Sequence, residues 1–337
     1  MATTKGYKAD FIGTNLPVAF PKLNASQKKD IAPVTGSTSG EITFPHFSVV
    51  LCRSRKFPFF SAANINGDLF KKVTRKSIFP GGRDVWKVDT RAKAHQWDND
   101  LYVKAPHSDF DRGHMTKRED PQWGNTKAEA KAAAKSTFHF CNCAPQLSDL
   151  NQKEWKLLED YILEKESVPG KLLINVFTGP VLKTDDPVFV SKVNNEDVLI
   201  PTLFWKVIYY SNDGKKLSKV GFLMGQENLL KKRKIVTTQR PEMVFAAHLQ
   251  KEKAHFMEFK DAQTYQVNLA SIEKLSGLKF PAAKQPYKDK RPIPLVVEAV
   301  EMKEDVQPTP TAGGAASSKN VQQLNYANYR FKGIVLR

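Results

Sequence analysis

Short apolar runs separated by turn residues recur along this chain, and they predict a sheet. Asn66-Gly67 is a strong turn signal after the first two runs, and Asn212-Asp213-Gly214 predicts a hairpin turn further on. The apolar runs that predict strands are 47–51, 57–62, 172–180, 201–210 and 220–224. We therefore expect a central sheet that begins near residue 44.

Two stretches have the composition of helices instead. The alanine-rich stretch 125–135 predicts a helix, because alanine is the strongest helix former. A second helix is expected to begin near residues 149–151, to continue to Lys165, and to stop before Pro169-Gly170. These elements predict an α+β fold with a mostly antiparallel central sheet and packed helices.

The overall charge favours a polyanionic partner. The 337 residues include 52 Lys and Arg against 35 Asp and Glu, a formal net charge of +17, while the 41% hydrophobic content is ordinary for a globular protein with a sizeable core. Such an excess of cations binds phosphates and releases their counterions. An anionic membrane surface is the alternative, but the sequence has no basic amphipathic helix or lipidation signal. Nucleic acid is therefore the favoured partner.

The chain shows no membrane span and no apolar signal core after Met1. We expect a cytoplasmic protein by default, with leaderless export left open. The three cysteines, Cys52, Cys141 and Cys143, are an odd number without zinc-type spacing, so buried reduced thiols are expected.

The chain divides into four predicted segments. Residues 1–43 form an arm packed on the domain, 44–302 the main domain, 303–320 a low-complexity linker, and 321–337 a C-terminal segment. The last segment mixes aromatic and basic residues. It can dock on the domain, bind nucleic acid by stacking, or engage a partner protein.

The run Asp109-Phe110-Asp111-Arg112-Gly113-His114 carries the first candidate chemistry. The imidazole of His114 can accept a proton near neutral pH, and the forked cation of Arg112 suits a phosphate. On an extended strand these two side chains point to the same face, and Gly113 between them keeps that edge open. Taken alone, either residue is more often a solvated surface side chain.

The second run is Asn142-Cys143-Ala144-Pro145-Gln146 with the helical segment that follows it. Asn151 and Glu159 are eight residues apart, so they lie along one side of that helix. A neutral amide oxygen such as that of Asn151 is a permissible ligand for Mg²⁺. Asn151 alone is more often a helix cap, and Glu159 alone is more often solvated.

Together these runs show Asp-Arg-Gly-His, then Asn-x-x-Pro-Gln, then Asn-x-x-x-Trp-x-x-Leu-Glu. This pattern resembles the sugar-non-specific DNA/RNA endonucleases with a ββα-metal (His-Me finger) site, the group that contains endonuclease G and the Serratia-type nuclease. The resemblance covers roughly residues 44–280. It implies an α+β nuclease domain at 44–302.

The resemblance also implies a role for each matching residue. His114 would be the general base, and Arg112 would stabilise the phosphorane-like transition state. Asn151 would be the only direct protein ligand of a Mg²⁺ ion, for which Mn²⁺ can substitute. Glu159 would hold metal-bound water near the leaving group.

Two further positions follow from the same resemblance. Asn142 would help to orient the site, and Arg83, in the segment 82–89, would bind a second phosphate. The implied activity is hydrolysis of phosphodiester bonds in DNA and RNA with little sequence preference, because the contacts are to phosphate.

Two rival functions stay open at this point. One is a nucleic-acid-binding module that does not cleave, and the other is a metal-dependent phosphodiesterase for small substrates. An inhibitor or immunity protein and a second copy of the chain are further candidate partners, since family members are often dimers.

Overall fold

An antiparallel sheet of eight strands forms the centre of the molecule. The structure, a computed structural model, describes residues 6–148, 154–237, 263–299 and 329–336. The strands are β1 Glu41–Phe44, β2 Phe47–Leu51, β3 Pro58–Asn66, β4 Asp111–His114, β5 Cys143–Gln146, β6 Leu173–Pro180, β7 Val188–Phe189, β8 Leu203–Tyr210, β9 Ser218–Gly225, β10 Val236–Thr237, β11 Thr264–Val267, β12 Ile293–Pro294, β13 Val296–Ala299 and β14 Tyr329–Lys332.

The central sheet has the order β1-β2-β3-β6-β8-β9-β11-β12, and every neighbouring pair in it is antiparallel. Strands β4 and β5 form a separate antiparallel pair. The helices are α1 Ala25–Lys29, α2 Arg75–Ile78, α3 Lys127–Ser136, α4 Glu154–Asp160, α5 Glu227–Lys232 and α6 Leu269–Ser276, with 3₁₀ turns at Thr90–His95 and Phe140–Asn142 and π-helices at Asp100–Lys104 and Tyr161–Ser167. The predicted α+β class and its antiparallel sheet are confirmed.

Strand β8 shows how the sheet is covered on both faces. Side chains alternate along a strand, so Phe204 and Ile208 enter one apolar cluster while Trp205 and Val207 enter another. Leu158 of α4 joins the first cluster, and Leu269 and Ile272 of α6 join the second. Helices therefore pack on opposite faces of the central sheet.

Helix α3 begins where its sequence allows a strong cap. The Thr126 hydroxyl accepts from the Glu129 N–H, and the Glu129 carboxylate accepts in return from the Thr126 N–H. The predicted helix at 125–135 is thereby confirmed. The second predicted helix changes character, because α4 ends at Asp160 and the chain continues as a π-helix to Ser167.

The described parts of both ends pack on the main domain. The Tyr7 hydroxyl donates to the Val18 carbonyl at 2.7 Å, and Val18 is fully buried in the cluster with Trp205. At the other end β14 pairs with β13. There the Gln266 side chain both donates to the Val335 carbonyl and accepts from its N–H.

Docking is therefore the observed outcome for residues 329–336. The linker predicted at 303–320 lies outside the described residues, and the segment boundaries stay a prediction. All three cysteines are free and buried, as expected. None of the helices in the described part of the chain is both long and apolar enough to span a bilayer.

Candidate active site

The pair β4–β5 brings the two candidate side chains of the first run to one cleft. Arg112 lies opposite Pro145 and His114 opposite Cys143 in the register of this pair. The cleft has a volume of about 540 Å³. Its lining residues are Arg75, Asp84, Trp86, Asp111, Arg112, His114, Lys117, Arg118, Glu119, Phe138, Lys156 and Glu159. The alternation argument for Arg112 and His114 thus agrees with their placement, and Glu159 joins them from α4.

Gly113 has a different structural role from the one we expected. A Cβ atom at this position would lie 2.1 Å from Oε1 of Gln146. The Gln146 side chain of β5 therefore lies across Gly113, and the missing side chain makes room for close packing. The glycine joins the two strands tightly and does not leave an open edge.

His114 is held neutral by its surroundings. Its ring lies 4.6 Å from the Trp86 ring and 4.9 Å edge-to-face from the Phe138 ring, measured between centroids. Burial among these rings lowers the pKa of His114 to about 3. The imidazole is consequently unprotonated at pH 7, which is the state that can accept a proton.

Thr137 decides which ring nitrogen of His114 is free. The Thr137 hydroxyl donates to the Ala134 carbonyl at 2.8 Å, so its oxygen is left to accept. Nε2 of His114 lies 3.4 Å from this oxygen and is the nitrogen that can donate to it. This contact assigns the ring proton to Nε2 and leaves the lone pair of a general base on Nδ1.

Asn142 is buried behind the cleft, where it joins two segments. Its amide oxygen accepts from the Thr116 N–H at 2.9 Å, and its amide nitrogen donates to the carbonyls of Thr116 and Thr137, both at 3.0 Å. The side chain therefore fixes the residue that contacts His114 Nε2. This geometry fits the orienting role that the resemblance implies for Asn142.

Arg112 is positioned by aromatic rings, which sequence reasoning did not find. Its guanidinium carbon lies 5.8 Å from the ring centroids of Trp86 and Tyr102 and 5.9 Å from that of Phe140. Nη2 donates to Oδ1 of Asn99 at 2.7 Å. Trp86 thus contacts both Arg112 and His114.

Arg83 lies outside the described lining of this cleft. Within 83–88 the even residues Asp84 and Trp86 face the cleft, whereas Arg83 and Lys87 are exposed. The second phosphate contact of Arg83 stays a prediction. The arginines that line the cleft with Arg112 are Arg75, which is paired with Asp84, and Arg118. No local pattern in the sequence singled them out.

Glu159 brings to the cleft a carboxyl group that a hydrated cation can use. Its Oε1 atom is buried against Nζ of Lys206, which lies 3.2 Å away. Burial raises the pKa of Glu159, and the charges of Lys206 and Lys117 oppose that rise. Asn151 lies outside the described residues, so its predicted contact with metal stays a prediction.

The donor set of the cleft fits an ion with few protein ligands. Within the described ranges no group of three or more His, Cys, Asp and Glu residues is arranged to hold a metal. Mg²⁺ prefers oxygen and commonly keeps several waters, bound through one or two protein groups. The carboxyl group of Glu159, which lines the cleft, suits such a hydrated ion.

Comparisons with known proteins agree with this arrangement of motifs. The family model described as DNA/RNA non-specific endonuclease matches residues 27–286. The uncharacterized protein y4fB of Sinorhizobium fredii is 34% identical over 235 residues, which make up 66% of this chain and 33% of that protein. Mitochondrial endonuclease G of Homo sapiens is 28% identical over 123 residues, 35% of this chain and 39% of that protein.

The crystal structure of the EndoG/EndoGI complex aligns with a TM-score of 0.49 at 20% identity, covering 78% of this chain and 92% of that chain. The matches with the two curated relatives span only 33% and 39% of their lengths. Because the family model matches most of the chain, the chain belongs to the DNA/RNA non-specific endonuclease family.

Proposed function

We propose that this chain is an endonuclease that hydrolyses internal phosphodiester bonds of DNA and RNA in the cleft beside β4. The observation that carries the proposal is the convergence of three groups, contributed by β4 and α4, on one cleft. These are the neutral imidazole of His114, the guanidinium of Arg112 and the carboxyl group of Glu159. Membership of the nuclease family supports this reading.

His114 takes the proton from the attacking water. Its neutral ring, with the proton on Nε2, offers Nδ1 as the acceptor. Arg112 donates to the phosphate oxygens as negative charge develops on them, and a forked cation suits that spread of charge. The surrounding rings and Asn99 restrain its guanidinium before the substrate binds.

A divalent cation, with Mg²⁺ as the expected ion and Mn²⁺ as a substitute, would be held by Asn151 and by water on Glu159, and it would supply charge stabilisation at the phosphate. Glu159 would accept hydrogen bonds from this water. The charge of the Glu159 carboxyl group is favoured by the nearby Lys206 and Lys117.

The substrate range follows from where the contacts fall. Arg112, which lines the cleft, contacts phosphate, and phosphate is common to DNA and RNA. Water is the nucleophile, so the 2′-hydroxyl of RNA is not required. We therefore expect both polymers to be cut with little sequence preference. An inhibitor protein and a homodimer stay predictions from the resemblance.

The test is incubation of the purified protein with supercoiled plasmid and with single-stranded RNA, in Mg²⁺ and in EDTA. We expect loss of both substrates in Mg²⁺ and protection of both in EDTA. Retardation of both on a gel without cleavage in Mg²⁺ or Mn²⁺ would favour a binding module. Turnover of a small aryl phosphate diester with intact polymers would favour a small-substrate phosphodiesterase.

A further inference from the structure

A second groove of the molecule, separate from the cleft, is lined by basic and hydroxyl side chains. Its volume is about 730 Å³, and residues 28–40 and the 3₁₀ turn at Thr90–His95 form most of it. The basic residues are Lys28, Arg53, Arg91, Lys93 and His95, and the hydroxyl residues are Thr35, Ser37, Thr38, Ser39 and Thr90. None of the described residues that line it is acidic. We call it the cationic groove.

The two arginines hold the walls of the cationic groove together. Nη2 of Arg91 lies 2.6 Å from Oδ2 of Asp89, and the Arg91 carbonyl accepts from the Thr35 N–H at 2.9 Å. Nε of Arg53 lies 3.6 Å from Oδ1 of Asp30, and the Arg53 N–H donates to the Asp30 carbonyl at 2.7 Å. Both guanidinium charges are therefore balanced by carboxylates, and the groove keeps its shape without a ligand.

Two lysines supply the charge that is not balanced. Lys28 of α1 and Lys93 of the 3₁₀ turn are exposed, and within the described part of the chain neither ammonium group has an ion-pair partner. Hydroxyl groups beside them can donate to the oxygens of an anion. Lysine and hydroxyl side chains are the groups with which proteins contact nucleic-acid phosphates. The groove therefore suits a ligand that carries phosphate esters.

A smaller cavity of about 440 Å³ lies along the chain between the cleft and the cationic groove. It shares Thr90 and Arg91 with the groove, and its Val88 is two residues from Trp86, which lines the cleft. Because five residues separate Trp86 from Arg91, their Cα atoms are at most about 18 Å apart. Phosphates along one strand of a duplex advance about 3.4 Å each, so about five nucleotides cover this distance.

We propose that the cationic groove binds phosphate groups of the same nucleic acid that is cut in the cleft, about five nucleotides from the cut. This inference rests on the proposed nuclease function, which makes nucleic acid the ligand. Lys28 and Lys93 contact the phosphates, and the groove lengthens the stretch of backbone that the protein holds. The contacts carry no sequence information.

The test measures binding without cleavage. A fluorescent duplex of about 30 base pairs, long enough to reach both sites, is titrated with protein in EDTA at several salt concentrations, and binding is followed by fluorescence anisotropy. The double variant Lys28→Gln/Lys93→Gln removes two phosphate contacts, so the slope of log Kobs against log salt should become shallower by about 2. A slope equal to that of wild type, or a wild type that does not bind the duplex, would overturn the inference.

Lys215→Gln/Lys216→Gln is the matched control. These two exposed lysines follow the turn after β8 and line neither the cleft nor the cationic groove. The control removes the same net charge, and we expect it to keep the wild-type slope. An equal change of slope in both double variants would show that total charge matters and the groove does not, which would overturn the inference.

Two further measurements identify the ligand and separate this inference from the proposed function. If Lys28→Gln/Lys93→Gln loses binding of a 5′-mononucleotide but keeps the wild-type slope for the duplex, the groove takes a free nucleotide and the inference is overturned. A wild type that cleaves in Mg²⁺, with no effect of the lysines on binding, would overturn the inference alone. A wild type that binds through these lysines without cleaving would overturn the proposed function alone.

Discussion

Trp205 and Lys206 are neighbours on β8, yet they lie in opposite kinds of environment. Trp205 faces a cluster of aromatic and aliphatic side chains beneath α6, and its indole N–H donates to the Pro180 carbonyl. Lys206 faces Glu159 and Thr178 beneath α4, next to the cleft. Both side chains are almost fully buried.

The two environments serve different purposes: the apolar contacts of Trp205 stabilise the fold, whereas the charged contacts of Lys206 belong to the candidate active site. Burying an aromatic side chain stabilises the fold by removing apolar surface from water. Burying an ion pair contributes little or can cost stability, because both charges lose their hydration. The charged pair behind the cleft is therefore better explained by the chemistry of Glu159 than by stability, and substitutions on the two faces should have different effects.

Trp205→Ala should give the largest effect, and that effect should be on stability. Removal of a fully buried Trp costs about 3–5 kcal/mol of unfolding free energy. Cleavage per folded molecule, measured at low temperature with the folded fraction determined by circular dichroism, should remain within about threefold of wild type. A hundredfold loss of cleavage in folded Trp205→Ala would break the separation between the two faces.

Arg112→Ala should have the opposite pattern, with a large loss of cleavage and little loss of stability. Removing a donor that stabilises developing charge lowers kcat/KM by about 10²–10³-fold. The unfolding free energy should change by less than about 1 kcal/mol, because the Arg112 side chain is half-buried and its hydrogen bond to Asn99 is exposed. Arg112→Lys should recover little activity, since lysine lacks the fork. Full activity of Arg112→Ala would contradict the proposal that Arg112 binds the phosphate that is cleaved.

A smaller effect concerns pH and stability. The pKa of His114 is about 3 in the folded protein and about 6.5 in the unfolded chain. Between these values the unfolded state binds a proton that the folded state does not, so falling pH destabilises the fold by up to about 1.4 kcal/mol per unit. Asp120 acts with the opposite sign, because its pKa is raised.

The contribution of His114 is therefore measured as a difference between two proteins. Urea unfolding of metal-free wild type and of His114→Asn at pH 7, 6 and 5 should show a steeper loss of stability in the wild type on acidification. If the unfolding free energy of both proteins fell equally with pH, His114 would be protonated as readily in the folded protein as in the unfolded chain.

Local periodicity predicted the parts of the site that lie within one element. The alternation of β4 placed Arg112 and His114 on one face, and both line the cleft. The helical spacing placed Glu159 on the same side as Asn151, which lies outside the described residues, so that part stays a prediction. Arg83 is exposed and lies outside the cleft lining, whereas Trp86 lines it. That observation favours Trp86 as the residue at the cleft.

The parts that sequence reasoning missed depend on contacts between distant elements. Lys206 is near Glu159 only because β8 lies beneath α4. Trp86 reaches Arg112 and His114 only because the chain beside it pairs with residue 139. The family motif identified Asn142. Its hydrogen bond to the Thr137 carbonyl could not be predicted, because that bond depends on how the chain folds and not on the spacing of residues in the sequence.

The most direct test of the central claim is plasmid cleavage in Mg²⁺ by His114→Asn beside His46→Asn. His46 is a matched control: burial lowers its pKa to about 4, it stacks on Trp123, and it lies outside the cleft. Its φ of 68° is a conformation that Asn tolerates. We predict that His114→Asn loses about 10²–10⁴-fold in rate while His46→Asn cleaves like wild type. Wild-type cleavage by folded His114→Asn would contradict the account.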